Sequence, residues 1–431
     1  MKKVGFITLG CKVNIYESNA LKNLLTEEGF LVVEPSSDCD VFIINTCSVT
    51  NMADAKSRKM IHKCIKLNPN AIICAMGCFI QTNSDAKDID GVDILIGNGN
   101  KKKAIELINE KLANPNREKT IDILNILETQ EYEPLGVTTY DHTRAFVKIE
   151  DGCENYCTYC IIPYARGPVR SKPKDEVIEE LKRITNNGYK EVVLAGIHTG
   201  RYRDGDTKFS DLVEEILKEV KGLKRLRVSS IEMNEVDDKF INLMKENKVL
   251  ANHLHLPLQA GSDLVLSKME RKYNVNDYIE KVKAIRSARP DISITTDVIV
   301  GFPYEGEEEF METYNLCKEL KLSKLHVFPY SVRKGTKAAL MPQVNDFDKK
   351  DRAKRLIELS NELELEYANN FLGKVLDCIP EQKTTNNQMM GHTSNFLQVI
   401  MPYHEDLISK VIDVKITLIK DGKIYGEIIK Q

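Results

Sequence analysis

The stretch DGCENYCTYC, residues Asp151–Cys160, decides the interpretation of this 431-residue chain. Its cysteines have the spacing C-x3-C-x2-C and come directly after a segment with the apolar pattern of a strand. A four-iron cluster held by three thiolates keeps one iron open to a substrate or cofactor. A structural zinc site needs four ligands, and the nearest further candidates in sequence are two tyrosines, which are poor zinc ligands. The stretch therefore favours an iron–sulfur site over a zinc knuckle, with Cys153, Cys157 and Cys160 as ligands.

The pattern around this stretch predicts the fold of the central part of the chain. Strand-like apolar segments alternate with helical ones from residue 144 onward, at 145–149, 191–195, 226–229, 253–256, 292–300 and 324–328. Alternation of this kind gives parallel strands connected by helical crossovers. We expect a partial (β/α) barrel of about six units over residues 143–370, with its chemistry at the carboxyl ends of the strands.

Two further regions flank the central one, and a linker separates the first two. Residues 1–115 alternate strand-like and helical segments, which predicts an α/β domain built on a parallel sheet. Residues 116–142 mix proline, asparagine and charged residues and are interpreted as a linker. From 371 to 431 the pattern changes to short alternating apolar runs, which indicates a small β-barrel. The fold class is thus α/β with a C-terminal β module.

A second set of cysteines lies in the N-terminal region. Each of three cysteines follows a different predicted strand: Cys11, Cys47 and Cys78. Because the carboxyl ends of neighbouring parallel strands converge on one crevice, these thiols can meet and form a second three-thiolate site. Three other cysteines share the region: Cys39, Cys64 and Cys74. They are equally eligible by composition, but their positions in apolar or mid-helix segments suggest that they are small buried residues.

Bulk composition limits the class of protein without naming its partner. With 42% hydrophobic and 29% charged residues, the chain has the composition of an ordinary globular protein. A net charge of −3 gives no general support for nucleic-acid binding, so any RNA contact must come from local basic patches. Eleven cysteines without a secretory signal indicate a reducing compartment, and we expect a cytoplasmic location. No apolar run reaches the roughly 18 residues of a membrane span.

Basic residues follow the cysteine stretch. We expect Arg166, Arg170 and Lys172 to hold RNA phosphates, because this patch adjoins the predicted reaction centre. Other basic groups, such as residues 101–103, are interpreted as solvated helix faces. Phe396, in the C-terminal module, could stack on an RNA base or belong to the core.

Several further motifs follow the cysteine stretch in order along the chain: Leu194–Gly200 (LAGIHTG), His255–Ser262 (HLPLQAGS), Met269–Tyr273 (MERKY) and Asp297–Pro303 (DVIVGFP). Together with the N-terminal segment Thr8–Asn14 (TLGCKVN), they make the whole chain resemble the radical S-adenosylmethionine (SAM) methylthiotransferases. The triplet KVN at residues 12–14 is most similar to the branch of that family that modifies threonylcarbamoyladenosine in tRNA.

This resemblance implies the cofactors and the domain plan. Two four-iron clusters are expected, one that binds SAM and one auxiliary, with these ligands: Cys153, Cys157 and Cys160 for the first, and Cys11, Cys47 and Cys78 for the second. The residues expected beside SAM are Gly196, Ser230, Glu232, Gln259, Arg271 and Asp297. The C-terminal module would be the β-barrel called TRAM.

The resemblance also implies a reaction and its partners. A radical formed from SAM would take hydrogen from the adenine C2 of N6-threonylcarbamoyladenosine at position 37, in the anticodon stem-loop of tRNA, and methylated sulfur would replace it. An electron donor and a sulfur source, both unidentified, would be needed. Alternatives are the same chemistry on isopentenyladenosine in tRNA or on an aspartate of a ribosomal protein. A noncatalytic iron–sulfur RNA-binding protein is a further alternative, against which the open three-thiolate pattern argues.

Overall fold

A computed structural model describes residues 1–140 and 143–429 of the chain. The expected linker ends at 142 and the expected C-terminal module at 431, so the last two residues of each lie outside the described residues. The architecture is mixed α/β, as predicted, with an N-terminal parallel sheet, a central array of parallel strands and a closed C-terminal barrel. Within the described residues, no helix is both long and apolar enough to cross a membrane.

The N-terminal domain is a six-stranded parallel sheet with the order β2-β1-β3-β4-β5-β6. Its elements in chain order are β1 Lys3–Thr8, α1 Lys12–Glu27, β2 Leu31–Val33, β3 Val41–Thr46, α2 Asn51–Leu67, β4 Ile72–Gly77, α3 Cys78–Thr82, β5 Ile94–Ile96, α4 Ala104–Ala113 and β6 Thr120–Asp122. Strands β3 and β4 are buried along their whole length, as expected for inner strands of a parallel sheet covered on both faces.

The expected linker is partly wrong. Residues Thr120–Asp122 form β6, which pairs in parallel with β5 at the edge of the N-terminal sheet. A strand of three residues with mixed polarity gives almost no sequence signal, because its pairing with a partner determines its conformation. The N-terminal domain therefore continues beyond residue 115.

The central domain is the predicted partial barrel. Its elements are β7 Ala145–Lys148, β8 Glu150–Asp151, α5 Ile162–Arg166, β9 Arg170–Ser171, α6 Lys174–Asn186, β10 Glu191–Ala195, β11 Arg203–Asp204, β12 Thr207–Lys208, α7 Phe209–Glu219, β13 Arg225–Val228, α8 Asp238–Glu246, β14 His253–His255, α9 Asp263–Lys268, α10 Val275–Ala288, β15 Ser293–Val300, α11 Glu307–Glu319, β16 Lys324–Pro329 and α12 Asp346–Asn369. The main strands form two parallel sheets, β7-β10-β13 and β14-β15-β16. Leu226 joins them, donating to the Val249 carbonyl at 2.8 Å and accepting from Ala251 at 2.9 Å.

The C-terminal module is a closed five-stranded barrel with the order β17-β18-β19-β21-β20. Its strands are β17 Val375–Lys383, β18 Gln388–Thr393, β19 Gln398–Pro402, β20 Ile412–Lys420 and β21 Lys423–Ile428. The barrel has its own apolar core, which confirms the predicted small β-barrel. It docks on the central domain at the amino ends of β10, β13 and β14, where the buried Arg225 pairs with Glu191 at 2.7 Å and with Asp377 of the barrel at 2.5 Å.

Phe396 is part of this docking surface. Its ring stacks on His253 of the central domain at 4.8 Å and on His392 of its own barrel at 4.9 Å. The Arg227 guanidinium lies 4.8 Å from the same ring. Since histidine rings stack on Phe396 from two sides, it serves as packing and is not free to stack on an RNA base.

Candidate active site

The cysteine stretch forms the loop between β8 and α5, at the carboxyl end of the strand region. Gly152 has a φ of 95°, and a Cβ at this position would lie 1.9 Å from the Pro168 carbonyl oxygen. The Cys153 amide donates to the Gly167 carbonyl at 3.0 Å, and the Cys160 amide donates to Cys157 at 2.9 Å. The loop is thus folded tightly by backbone bonds, and only glycine fits at its entrance.

The three cysteines of this loop do not converge on a single metal ion. Within 1–140 and 143–429, no three His, Cys, Asp or Glu side chains converge on one metal ion. Each cysteine ligand of a four-iron cluster binds a different iron, so such convergence is not required. Burial, with the charge of the neighbouring Cys157, raises the pKa of Cys160 to about 12, so iron binding must displace the thiol proton.

Two of the predicted SAM-contact residues lie directly beside the cysteines. Arg271 donates from Nη1 to the Cys157 sulfur at 3.3 Å, and its Nη2 forms an ion pair with Glu232. Burial alone would lower the pKa of Arg271, but the nearby Tyr159 and Glu232 raise it well above its usual value. A permanent cation therefore faces the loop sulfurs.

The other predicted contacts lie on or beyond the ends of neighbouring strands. Gly196 follows β10, and a Cβ there would lie 2.7 Å from Glu150 Oε2. Ser230 comes after β13. The backbone N–H of Gln259 donates to the backbone carbonyl of Asp297 at 2.9 Å. The side-chain Oδ1 of Asp297 lies 3.3 Å from His255 Nε2. The structure thus gathers these residues at one end of the barrel, and their contact with SAM stays a prediction.

The auxiliary cysteines follow three adjacent strands, β1, β3 and β4. Gly10 has a φ of 103°, and a Cβ there would lie 3.2 Å from the Cys47 sulfur. Burial and the charges of Cys78 and Cys11 raise the pKa of Cys47 to about 11. The three thiols therefore lie within electrostatic range of one another, and glycine leaves room next to them.

The remaining N-terminal cysteines belong to the core. Cys39, Cys64 and Cys74 are all fully buried among apolar side chains. Their prediction as small buried residues is confirmed.

A cavity of about 230 Å³ lies beside the loop that carries Cys153, Cys157 and Cys160 and also reaches the N-terminal domain. Its lining includes Val49 and Thr50, which follow Cys47, together with Cys160, Gln259 and Asp297. The cavity is therefore shared by the two domains that carry the two sets of cysteines. Such an arrangement can hold a reactant between them and shield it from water.

Lys12, directly after Cys11, lies near residues of the central barrel. Its half-buried ammonium lies within electrostatic range of Arg144, Arg227 and Asp297. Burial lowers the pKa of Lys12, and the two guanidiniums lower it further. Arg144 and Arg227 have carboxylate partners, Glu381 and Glu191 respectively. Within the described residues, Lys12 has no hydrogen-bond or ion-pair partner.

The expectation that Arg166, Arg170 and Lys172 hold RNA phosphates is wrong. Their exposed fractions are 0%, 4% and 2%. Lys172 pairs with the buried Glu180 at 2.5 Å, and Arg166 with Glu17 at 2.6 Å. The charges face buried carboxylates at the interface between the first two domains, so they cannot reach a polyanion.

Sequence reasoning also missed several polar residues of this interface. Asn98 donates from Nδ2 to the Ala165 carbonyl at 2.7 Å and lies 3.6 Å from the Cys78 sulfur. Lys101, assigned to a solvated face, is fully buried and pairs with Glu17. The only sequence signal was the apolar neighbourhood of α1 and α4, which does not reveal a buried polar partner.

Comparison with known proteins agrees with this site. The model of the radical SAM superfamily matches residues 147–317, and that of uncharacterized protein family UPF0004 matches residues 3–97. In fold, the radical SAM methyltransferase TsrM from Kitasatospora setae has a TM-score of 0.57 at 15% identity, covering 76% of this chain and 75% of its own. The open three-cysteine loop at the end of a partial barrel thus defines a radical SAM enzyme.

Relatives that match nearly the whole chain identify its family more narrowly than the superfamily model does. Threonylcarbamoyladenosine tRNA methylthiotransferase MtaB of Bacillus subtilis is 44% identical over 99% of this chain and 96% of its own length. MtaB of Aquifex aeolicus is 36% identical over 92% and 96%. The tRNA-2-methylthio-N(6)-dimethylallyladenosine synthase of Thermoanaerobacter sp. is 36% identical over 98% and 92%. The chain belongs to the radical SAM methylthiotransferase family, whose members carry two four-iron clusters and use SAM.

Proposed function

We propose that this enzyme places a methylthio group on C2 of N6-threonylcarbamoyladenosine at position 37 of a tRNA, within the anticodon stem-loop. The observation that carries the proposal is the 44% identity over 99% of the chain to the Bacillus subtilis enzyme, which exceeds the 36% identity to the dimethylallyladenosine enzyme. The KVN triplet at residues 12–14 supports the same branch.

The proposed reaction requires ligands for two clusters. We assign Cys153, Cys157 and Cys160 to the cluster that binds SAM, and Cys11, Cys47 and Cys78 to the auxiliary cluster. When bound, SAM and the clusters supply a carbon-centred radical and a methylated sulfur. The role of the protein is to orient the reactants and to exclude water from them. Arg271 keeps positive charge beside Cys157, and the shared cavity aligns the substrate base between the two domains.

General acid–base catalysis alone does not account for this substitution. The hydrogen on the adenine C2 is not acidic, so positioned carboxylates or imidazoles cannot remove it as a proton at a useful rate. Side chains near the cavity, such as Asp297 and His255, are therefore assigned to holding the substrate and SAM.

Lys12 favours the proposed substrate over isopentenyladenosine. The threonyl part of threonylcarbamoyladenosine ends in a carboxylate, whereas the isopentenyl group is apolar. A half-buried ammonium that has no partner among the described residues, near two guanidiniums, is suited to that carboxylate. We assign Lys12 as the residue that binds the threonyl carboxylate.

The Lys12→Gln substitution tests this assignment. It should lower methylthiolation of threonylcarbamoyl-tRNA at least tenfold and spare the SAM cleavage that the radical SAM loop supports. Product nucleoside and 5′-deoxyadenosine are measured in the same assay. Lys318→Gln, at an exposed lysine of α11, is the control. Full product formation by the Lys12 variant would contradict the assignment.

The C-terminal barrel and the cellular location complete the proposal. We propose that the barrel is a TRAM module that helps to hold the tRNA through surfaces not used in docking. A tRNA substrate and six unpaired cluster thiols are compatible with a cytoplasmic location. An electron donor and a sulfur source must act there with the enzyme.

Mass spectrometry of tRNA nucleosides tests the function directly. A strain lacking the protein should lose 2-methylthio-N6-threonylcarbamoyladenosine and keep its precursor, and the wild-type gene should restore the product. A gene carrying Cys153→Ala should not restore it. Loss of the isopentenyl product instead would redirect the assignment to that branch, and unchanged tRNA would leave the ribosomal-protein target.

A further inference from the structure

Helix α5 connects the two sets of cysteines. It begins two residues after Cys160 and ends at Arg166, which is fully buried. Near its end, the Ala165 carbonyl accepts from Asn98 Nδ2 at 2.7 Å, and the same nitrogen lies 3.6 Å from the Cys78 sulfur. The helix that leaves the radical SAM loop therefore contacts the surroundings of an auxiliary ligand.

Arg166 reaches the other two auxiliary cysteines through Asn14. Its Nη2 donates to Asn14 Oδ1 at 2.5 Å. Asn14 in turn donates from Nδ2 to the Leu9 carbonyl at 2.7 Å and to the Thr46 carbonyl at 3.0 Å. These carbonyls lie just before Cys11 and Cys47. One guanidinium of the central domain thus supports the side chain that holds both loops together.

Among the residues that the structure describes, the charges around Arg166 are not fully balanced. Four buried cations lie together at this interface: Lys101, Lys148, Arg166 and Arg170. Four buried carboxyl groups interact with them: Glu17, Asp151, Glu133 and Glu150. Burial raises the pKa of Glu133 and of Glu150, so these four carboxyl groups compensate the four cations less fully than their number suggests. A buried charge requires compensation, and three thiolates carrying a cluster would supply a negative neighbour.

Arg166 also has one N–H group that makes no hydrogen bond to the residues that the structure describes. Its Nε is buried and has no acceptor within the described part of the chain. The guanidinium lies within electrostatic range of Cys78 and Cys11, as well as of the carboxylates of Glu17 and Asp151. The unused N–H is therefore available at the auxiliary cysteines, where cluster sulfur atoms would be acceptors.

We propose that Arg166 is a positioning residue that the radical SAM domain contributes to the auxiliary cluster. It donates a hydrogen bond to a sulfur of that site and raises the reduction potential of the cluster bound there. The proposal rests on the assignment of Cys11, Cys47 and Cys78 as cluster ligands. Cluster potentials depend on net charge and on hydrogen bonds to sulfur, and a nearby cation favours the more negative, reduced form.

The test measures a potential and not turnover. In the full chain with Cys153, Cys157 and Cys160 replaced by alanine, only the auxiliary cluster should assemble. Its midpoint potential is measured by redox titration with electron paramagnetic resonance detection. Arg166→Gln should shift the potential to more negative values by at least a tenfold change in the reduction equilibrium, about 59 mV for one electron. Arg225→Gln removes an equally buried arginine at the C-terminal docking surface and should leave the potential unchanged.

The possible outcomes separate this inference from the function itself. If the parent triple variant assembles no cluster, the ligand assignment fails. If it assembles one and Arg166→Gln has the parent potential, Arg166 has no such role and the inference is overturned. If Arg166→Gln does not fold, Arg166→Lys decides. Lysine keeps the positive charge, but its ammonium cannot both bind Asn14 and replace the Nε–H donor. Arg166→Lys should therefore shift the potential to more negative values, by less than the shift expected for Arg166→Gln. A potential equal to that of the parent would overturn the inference.

Discussion

Gly152 shows how one residue without a side chain allows the radical SAM loop to form. A Cβ at this position would meet backbone, the Pro168 carbonyl oxygen at 1.9 Å, and backbone cannot rotate away as a side chain can. The positive φ of 95° adds conformational strain for any residue with a Cβ. The site of three cysteines therefore depends on a residue that binds nothing.

The Gly152→Ala substitution should abolish the radical SAM cluster. We expect loss of SAM cleavage and of one of the two cluster signals in electron paramagnetic resonance, while the auxiliary cluster persists. Gly188→Ala is the matched control, since Gly188 has a similar φ of 97° but nothing within 4 Å of the added Cβ. Retention of both signals in Gly152→Ala would show that the loop relaxes without losing its ligands.

The same loop shows what the sequence can reveal at this scale. Cys11, Cys47 and Cys78 were assigned because each follows a strand, and strand ends are visible in the apolar pattern. The other three proposed ligands were assigned from their C-x3-C-x2-C spacing in one loop after a strand. The burial of Arg166 was not visible, because its partners Glu17 and Asn14 lie 149 and 152 positions away in the chain. A local cluster of basic residues looks the same in sequence whether it faces solvent or a buried carboxylate.

At the scale of elements, the C-terminal barrel docks by few but well-buried contacts. Phe396 lies in the turn between β18 and β19 and inserts its ring between His253 and His392. The module itself was predictable from alternating short runs, as each strand alternates sides within a closed barrel. Its docking was not, because Arg225 and Arg227 in β13 appear in sequence as ordinary strand residues.

Phe396→Ala should loosen this docking. The substitution removes the stacking contacts of the half-buried Phe396 ring with two histidines and its contact with Arg227. This loss should lower the free energy of unfolding by about 2 kcal/mol. Denaturant unfolding measures the loss, and limited proteolysis after α12 reports release of the barrel. Phe347→Ala is the control, since the Phe347 side chain is 79% exposed. Equal effects of the two substitutions would argue against the docking role.

Glu191 makes the same contact sensitive to acid. Burial alone would raise its pKa, but Arg227 and Arg225 hold it at about 2, below its usual 4.5. A lowered pKa in the folded state means that stability is fully present above pH 4.5 and is lost as the pH falls towards 2. The difference corresponds to about 3 kcal/mol.

The Glu191→Gln substitution tests that pH dependence. It should reduce stability at pH 7 and flatten the stability profile between about pH 4.5 and 2, where the wild type loses its Glu191 contribution. Urea unfolding at several pH values measures both effects. Parallel profiles for the two proteins over this range would mean that Glu191 does not titrate with a lowered pKa.

At the scale of the whole molecule, α1 joins the first two domains. Its Tyr16 and Ala20 belong to the main core of the central domain, whereas Leu21 and Leu25 belong to the core under the N-terminal sheet. Tyr16 donates to the Leu135 carbonyl at 2.5 Å. A helix shared by two cores keeps the auxiliary cysteines at a defined place relative to the radical SAM loop, as a reaction that uses both cysteine sites on one substrate would require.

Glu17 on the polar side of α1 provides the electrostatic part of this junction. Its carboxylate binds Lys101 of its own domain and, from the central domain, Lys148 at 3.3 Å and Arg166 at 2.6 Å. Arg166 and Lys101 hold the pKa of Glu17 well below its usual value in spite of burial. Removing this charge takes one carboxylate partner away from each of three buried cations. Such a loss typically lowers the free energy of unfolding by about 3 kcal/mol or more.

Glu17→Gln should therefore separate the two half-reactions. The radical SAM loop and its SAM-facing residues do not touch Glu17, so cleavage of SAM should continue at a rate near that of the wild type. Sulfur transfer depends on alignment of the domains and should fall by tenfold or more. The ratio of methylthio product to 5′-deoxyadenosine measures this directly, with denaturant unfolding to confirm that the chain is folded. A proportional fall in both products would mean that Glu17 supports general stability and not the alignment of the two cysteine sites.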